Sequence, residues 1–363
     1  MDGALIDSLP TKQYYRTAYM KSLRYLAAVC IVVLAAIFVQ ELAVGFAIPD
    51  FNPRNHLRFT PSTGSLPVLG PRNKHLRLIK NSGDYNVSVI FNQHGFRDSK
   101  DVSVATKNDV VVVGDSFAFG WGVEQDERVS EQLQGLIGRN VYNIAAPAGV
   151  LGYGKLLEYA KFVGADIRYV VVFFNMFGDI KDYDKLLEYG LRKTEKEEKK
   201  PIQLRLLDMK NYLIANSALY FLITNLITQN DYLRHLAIKA GFIIPLSTVA
   251  KSSINDKAIV SSVNHLKLIT KGYEAIVVVV PNRGIWIGKN KSHERKIHAK
   301  FIRTLKNSGL RFIDMRKAQE LGGNPMRFHF KNDGHWEPIG HKLAASRLAY
   351  QMIFKTENRR QIK

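Results

Sequence analysis

The sequence predicts a three-layer α/β/α domain around a parallel sheet, preceded by one transmembrane helix and carrying a helical insertion. Three observations carry that expectation. From Asp109 onward, short β-branched runs alternate with helical stretches, as strands buried on both faces do beneath crossover helices. A basic N-terminal segment runs into a long apolar stretch. Between about 180 and 270 the alternation breaks into helical patterns with no strand between them.

The strand runs are 110–113, 141–144, 169–174, 276–280 and 310–313, and the helical stretches are 127–137, 151–163, 293–308 and 339–354. No internal repeat is present. The break holds a charged run at 192–200 that mixes both signs, the pattern of a solvated face. An apolar stretch follows at 213–227. It carries Asn216, Ser217 and Asn225 and is short for a membrane span, so it reads as a buried or interfacial helix. The whole region reads as an insertion over the sheet, with a lid as one use for it.

At the N-terminus, Lys12, Arg16, Lys21 and Arg24 precede an apolar run at 26–39 that resumes after Gln40 and Glu41 and continues to Ile48. As one helix, 26–48 spans about 35 Å at roughly 1.5 Å per residue, enough to cross a bilayer core. Glu41 is costly at mid-membrane and is expected near the far interface, with Arg24 snorkelling at the near one. The basic flank places residues 1–25 in the cytoplasm and everything after Pro49 outside. A cleaved signal peptide is the competing reading, because Gly45-Phe46-Ala47 resembles a small-residue cleavage site. Residues 49–107, rich in Pro, Asn, Gly and basic side chains, read as a linker with short strands leading into a domain at 108–355.

The formal charge of +20 over 363 residues favours anionic surroundings without choosing among lipid, glycan and nucleic acid. The positive charge is spread out and no nucleic-acid module is recognisable, which argues against nucleic acid. The single cysteine, Cys30, lies in the apolar run, so neither an internal disulfide nor a cysteine metal site is available. His293 and His298 stand at no metal-ligand spacing from carboxylates, and no cofactor is expected.

The chemistry is expected at the end of the first strand. Val110 to Val113 runs into Gly114-Asp115-Ser116-Phe117, and a serine leaving the carboxyl end of a parallel strand stands where ligands bind in open α/β sheets. Gly114 permits a tight turn, and backbone N–H groups of such a turn can hold an oxyanion. Any turn favours such residues, so the tripeptide carries weight only with a base. Asp333-Gly334-His335 offers one, on a loop before a helix that Pro338 would start. There the aspartate can orient the imidazole while its other nitrogen faces the serine. His341 falls inside the helix and reads as structural.

These blocks, in this order, resemble the SGNH/GDSL hydrolases, and more closely their membrane-anchored bacterial members linked to cell-envelope polysaccharide acylation. The resemblance runs from about Phe91 to Ala345 with the insertion unmatched. Asn92-Gln-His-Gly-Phe-Arg-Asp98 is similar to the element that often precedes the first block, and Gly114 to Phe117 matches that block, with Ser116 as nucleophile. Asn143-Ile-Ala-Ala-Pro-Ala-Gly149 resembles the second block, whose glycine implies an oxyanion N–H from Gly149, and Asp333-Gly-His335 resembles the fifth. The third block departs. Its usual Gly-x-Asn-Asp becomes Asn175-Met-Phe-Gly-Asp179, leaving Gly178 in the asparagine slot. Asn175 is the nearest amide, read equally as an oxyanion donor and as a residue capping the turn. The resemblance implies a flavodoxin-like sandwich, acyl transfer through an acyl-serine, no cofactor, and an oxyanion hole from Ser116, Gly149 and Asn175.

Three functions follow as expectations: an acyl esterase or O-acyltransferase on an envelope glycan, a non-catalytic glycan-binding or assembly protein on the same fold, and a lipase-like esterase drawn to membrane lipid by helix and charge. Protein partners are not legible in the sequence. A reporter fused after Lys363 should be active only outside the cytoplasm, and cytoplasmic activity there overturns the topology.

Overall fold

The computed structural model describes residues 9–180, 209, 212–243 and 254–360; the charged run at 192–200 lies outside them. The chain divides into two compact units, one of Met1–Arg54 with Ile202–Ile223 and one of Asn55–Pro201 with Thr224–Lys363.

The first unit is dominated by α1 (Leu9–Ala47). Within α1, Tyr19–Ala47 is long and apolar enough to cross a membrane by length and composition. Glu41, the acidic residue in that stretch, is engaged inside the same unit. Its carboxylate accepts the Ser217 hydroxyl at 2.7 Å and the backbone N–H groups of Ala218 and Leu219 at 2.5 and 3.1 Å. It thereby satisfies N–H groups that the start of α5 (Ala218–Gln229) leaves without an intrahelical acceptor. The sequence reading located Glu41 by its solvation cost alone; the fold supplies a partner for it.

The second unit opens with an antiparallel hairpin of β1 (His75–Ile79) and β2 (Asn86–Ile90). Leu76, Leu78, Val87 and Val89 alternate with exposed positions, so the hairpin buries one face, as the period of two requires. A five-stranded sheet follows: β3 (Val110–Val113), β4 (Val141–Asn143), β5 (Tyr169–Asn175), β6 (Glu274–Val280) and β7 (Phe312–Asp314). Its order is β4-β3-β5-β6-β7 with every pair parallel. The expected parallel sheet is thus observed, with each strand within two residues of its sequence run at either end.

Both faces of the sheet are covered, which explains why its strands are almost pure Val, Ile and Phe. Val110, Val112, Val171, Phe173, Val278 and Val280 face one core, where α3 (Val129–Ile137) and α10 (Pro338–Arg360) pack. Val111, Val113, Val170, Val172, Phe174, Val277 and Val279 face the other, beneath α4 (Val150–Phe162), α7 (Asp256–Ile269) and α8 (Lys291–Asn307). The short helix α6 (Asp231–Lys239) follows α5, and α9 (Met315–Leu321) follows β7. α7 occupies part of the stretch that the sequence reading counted within the insertion. It buries Ala258, Ile259, Val263 and Leu266 against the sheet, as the crossover between β5 and β6 must.

The strand order reverses at β3, since the chain steps outward to β4 and then returns to the other side as β5. Open sheets of this order bind ligands beyond the carboxyl ends of the strands at that reversal. Ser116 follows β3 and Asn175 ends β5, so the two flank the switch point.

The stacked pair Phe174–Phe301, with centroids 4.7 Å apart, is fully buried. Phe174→Ala should lower unfolding free energy by about 3–5 kcal/mol. Urea unfolding followed by near-UV circular dichroism measures it, and an unchanged midpoint would contradict the packing.

Candidate active site

Three local devices set the turn that carries Ser116. A Cβ at Gly114 would stand 2.7 Å from the Phe173 Cβ and 2.9 Å from that of Ala118, so only glycine allows β3 to pass so close to β5. Asp115 caps the four-residue helix α2 (Ser116–Phe119), its carboxylate accepting the Phe117 N–H at 3.0 Å. Asn143 holds the same segment from β4, donating to the Ala118 carbonyl at 2.8 Å and to the Ser130 hydroxyl at 3.1 Å.

The Asn92–Asp98 element of the sequence works behind this turn. Fully buried Arg97 donates to the carbonyls of Phe119, Gly120 and Val123 at 3.2, 2.6 and 2.7 Å, clamping the chain after α2. Asp98 accepts the Asn143 N–H at 2.8 Å. Burial pushes the Asp98 carboxyl up, against the pull of Arg128 and Lys100.

His335 arrives on a small loop hairpin. His329 and Trp336 form an antiparallel bridge, with Phe330 donating its N–H to His335 O at 3.1 Å. Trp336 is wholly buried with its ring edge-on to Phe117 at 5.2 Å, and this anchors the loop over the serine turn. His335 Nε2 lies 2.8 Å from Ser116 Oγ. Its Nδ1 is hydrogen-bonded to Asp333 Oδ1, which also accepts the His335 backbone N–H at 3.0 Å. The structure therefore brings Ser116, His335 and Asp333 together from positions 219 residues apart along the chain.

Exposure differs along this row. The Asp333 side chain keeps 8% of its accessible surface and His335 keeps 22%, so the carboxylate is sealed while the imidazole edge stays open. Burial would push the Asp333 carboxyl up, but the bond and charge of His335 and the Lys80 ammonium hold it well below the usual carboxylate range. Its pairs stabilise the fold above about pH 4, and that contribution fades as pH falls toward the folded-state value. A hydroxyl so placed can give its proton to the ring while the fixed anion stabilises the imidazolium.

The other expected positions are spread around the crevice. Gly149 is the N-cap of α4, and its N–H finds no acceptor among the described residues. Asn175 is more occupied. Its amide donates to Asp115 Oδ2 at 2.7 Å, its carbonyl oxygen accepts the Phe177 N–H at 3.0 Å, and its own N–H donates to Asp179 Oδ2 at 2.8 Å. One of the two amide protons is thus committed to Asp115. A Cβ at Gly178 would reach 3.4 Å from that amide nitrogen, so the departure of the third block lies directly against Asn175. Asp179 is buried and accepts the Tyr153 hydroxyl at 2.9 Å. His341 is buried beside Trp336 with neither ring nitrogen partnered among the described residues. Burial, with the charges of Arg97 and Arg128, pushes it down to about 3.

Sequence reasoning missed Lys80, Tyr85, Trp121 and Arg283. Lys80 Nζ and Tyr85 Oη donate to Asp333 Oδ2 at 2.6 and 3.1 Å, Trp121 stacks on His335, and Arg283 donates to the Asp333 carbonyl at 3.3 Å. Only Trp121 had a signal, its place five residues after Ser116. The others lie on elements whose pairing with the loop is purely tertiary.

Residues 247–362 match the family model described as the SGNH hydrolase-like domain of the acetyltransferase AlgX. The match covers the segment with Asp333 and His335 and stops short of Ser116. Among solved structures, the chain is similar to a lipase/acylhydrolase from Enterococcus faecalis at 11% identity, over 68% of this chain and 95% of that one, with a TM-score of 0.39. It is also similar to an acetyl xylan esterase from Geobacillus stearothermophilus at 11% identity, over 69% and 95%, with a TM-score of 0.36. A third is a lipolytic protein of the G-D-S-L family from Veillonella parvula, at 11% identity over 68% and 98%, with a TM-score of 0.36. No curated protein matches the chain in sequence.

Asn175→Ala removes a donor from the buried Asp115, whose carboxyl burial already pushes up. Stability should fall by about 1–3 kcal/mol. A denaturation midpoint equal to wild type would show that the amide does not support Asp115.

Proposed function

We propose that this protein is a serine-dependent acyl esterase or O-acyltransferase acting on a cell-envelope glycan through an acyl-serine, with Ser116 as nucleophile, His335 as base and Asp333 as its partner. The 2.8 Å contact between Ser116 Oγ and His335 Nε2, with Asp333 on the opposite nitrogen, carries the reading. In the first half-reaction Oγ attacks the acyl carbonyl as its proton passes to Nε2, and that proton then leaves with the departing alcohol. In the second half-reaction water or a sugar hydroxyl attacks the acyl-serine, giving up its proton to the same ring, which returns it to Ser116 Oγ as the acyl–Oγ bond breaks. The oxyanion is assigned to the N–H groups of Ser116 and Gly149, with the uncommitted amide proton of Asn175 as the third donor.

The ester-acting class is supported by the match to an SGNH hydrolase-like domain. The glycan acceptor rests on the motif resemblance, and the extracytoplasmic side on the basic flank before the apolar stretch of α1. The same geometry supports this reading over a binding protein on the same fold, which needs no base on its serine.

A serine-directed fluorophosphonate should label the purified protein at Ser116. Ser116→Ala should take no label. Ser116→Ala and His335→Ala should each lower turnover of short acyl esters at least ~10⁴-fold with the double variant little worse, and Asp333→Asn should lose less. Full turnover by Ser116→Ala would remove the enzymatic reading, and a preference for long-chain esters over short ones would redirect it to lipid.

A further inference from the structure

Both carboxylate oxygens of Asp333 are filled, and only half of their partners come from its own loop. Oδ1 serves His335 through the ring and the backbone N–H. Oδ2 accepts Lys80 Nζ at 2.6 Å and Tyr85 Oη at 3.1 Å, both from the closed end of the β1–β2 hairpin. That end is rigid: Lys80 donates its N–H to Tyr85 O at 2.9 Å, and Gly83 donates its N–H to Lys80 O at 2.9 Å. Tyr85 Oη accepts Trp121 Nε1 at 2.9 Å, and the indole lies stacked on the His335 ring at 5.6 Å and 25°. One side of the imidazole and the far oxygen of its aspartate are thus bound into a single row.

Lys80 is not an ordinary surface partner. Its side chain keeps 35% of its exposure and Asp333 keeps 8%, so the pair is screened far less than an exposed one. An ammonium on Oδ2 also works against the purpose of an aspartate on Nδ1. The carboxylate stabilises a protonated ring, and a cation beyond it offsets part of that field.

We propose that Lys80 is a positioning residue for Asp333 and His335: from the hairpin it pins the carboxylate that holds the ring, and its ammonium offsets part of that carboxylate's field at the imidazole, keeping the ring free to accept the serine proton. This rests on the reading of Ser116, His335 and Asp333 as one catalytic unit. Other charges face the row. The hairpin adds Asp84, the turn after β3 adds Asp115, and the segment after β6 adds Arg283, which touches the Asp333 backbone rather than its carboxylate. The C-terminal elements add His329, His341 and Glu337. Among the described residues, Lys80 is the lysine or arginine in ion-pair contact with the Asp333 carboxylate. Burial pushes His329 down to about 4 and His341 to about 3, so neither takes up a proton in the range where an ordinary histidine titrates.

The test is the pH dependence of fluorophosphonate labelling at Ser116 in the detergent-solubilised full chain, from about pH 5 to 9. Lys80→Met should move the acid limb of the labelling rate upward by about 0.5–1 pH unit, because a ring beside an unopposed carboxylate holds its proton to higher pH. Lys80→Arg should return the limb toward wild type, and Tyr85→Phe should shift it in the same direction as Lys80→Met by less. If Lys80→Met fails to fold, Lys80→Gln, which keeps a donor without the charge, carries the same expectation. An acid limb that coincides in wild type and the uncharged variants overturns the proposal while leaving the triad reading intact. Absence of labelling in wild type at every pH removes the triad reading and this proposal together.

Discussion

The site depends on how closely β3 can pass β5 before it ends. At Gly114 the two strands leave no room for a Cβ, and the chain must turn there to present Ser116 above the sheet. Everything around the turn then serves to hold it. Asp115 caps the short helix, Asn175 donates to the far oxygen of that buried carboxyl, Asn143 ties the helix to β4, and Arg97 gathers the carbonyls that follow. Asp115, Asn143 and Arg97 are polar groups buried with a partner, and losing a partner inside a protein costs more than the bond itself contributes. The result is a rigid platform at the point where the sheet reverses its strand order.

A second rigid body meets the first from above. The loop bearing Asp333 and His335 is held by Trp336 in the core and by the short bridge between His329 and Trp336. A Cβ at Gly334 would lie 2.6 Å from the Arg283 guanidinium, so the loop is also gripped from the end of β6. The β1–β2 hairpin closes the remaining side through Lys80 and Tyr85. Residues 75–90, within the stretch 49–107 that read from sequence as a linker with short strands, are therefore part of the electrostatic setting of His335.

The departure at the third block looks different in this light. With Gly178 in place of a side-chain amide, Asn175 donates to Asp115 and supports the Ser116 turn from beneath. Asn175 Oδ1 also accepts the Phe177 N–H, capping its own turn, and one amide proton is left over.

The sequence by itself determined the parallel sheet, the long apolar helix and the positions of Ser116, Asp333 and His335, because each has a local signature. β-branched runs bury both faces, a glycine and an acidic cap shape a strand-to-helix turn, and Asp-x-His sets a carboxylate beside its own imidazole. The tertiary structure alone decided that Ser116 and His335 meet, that Lys80 and Tyr85 reach Asp333 from 253 and 248 residues away, and that Glu41 caps α5. It also decided that the helix at Asp256–Ile269 belongs to the sheet layer. The physical reason is the same in each case. A lysine, a tyrosine or a glutamate carries no periodicity that names its partner, and the partner is chosen by which surfaces the packed core brings within hydrogen-bonding distance.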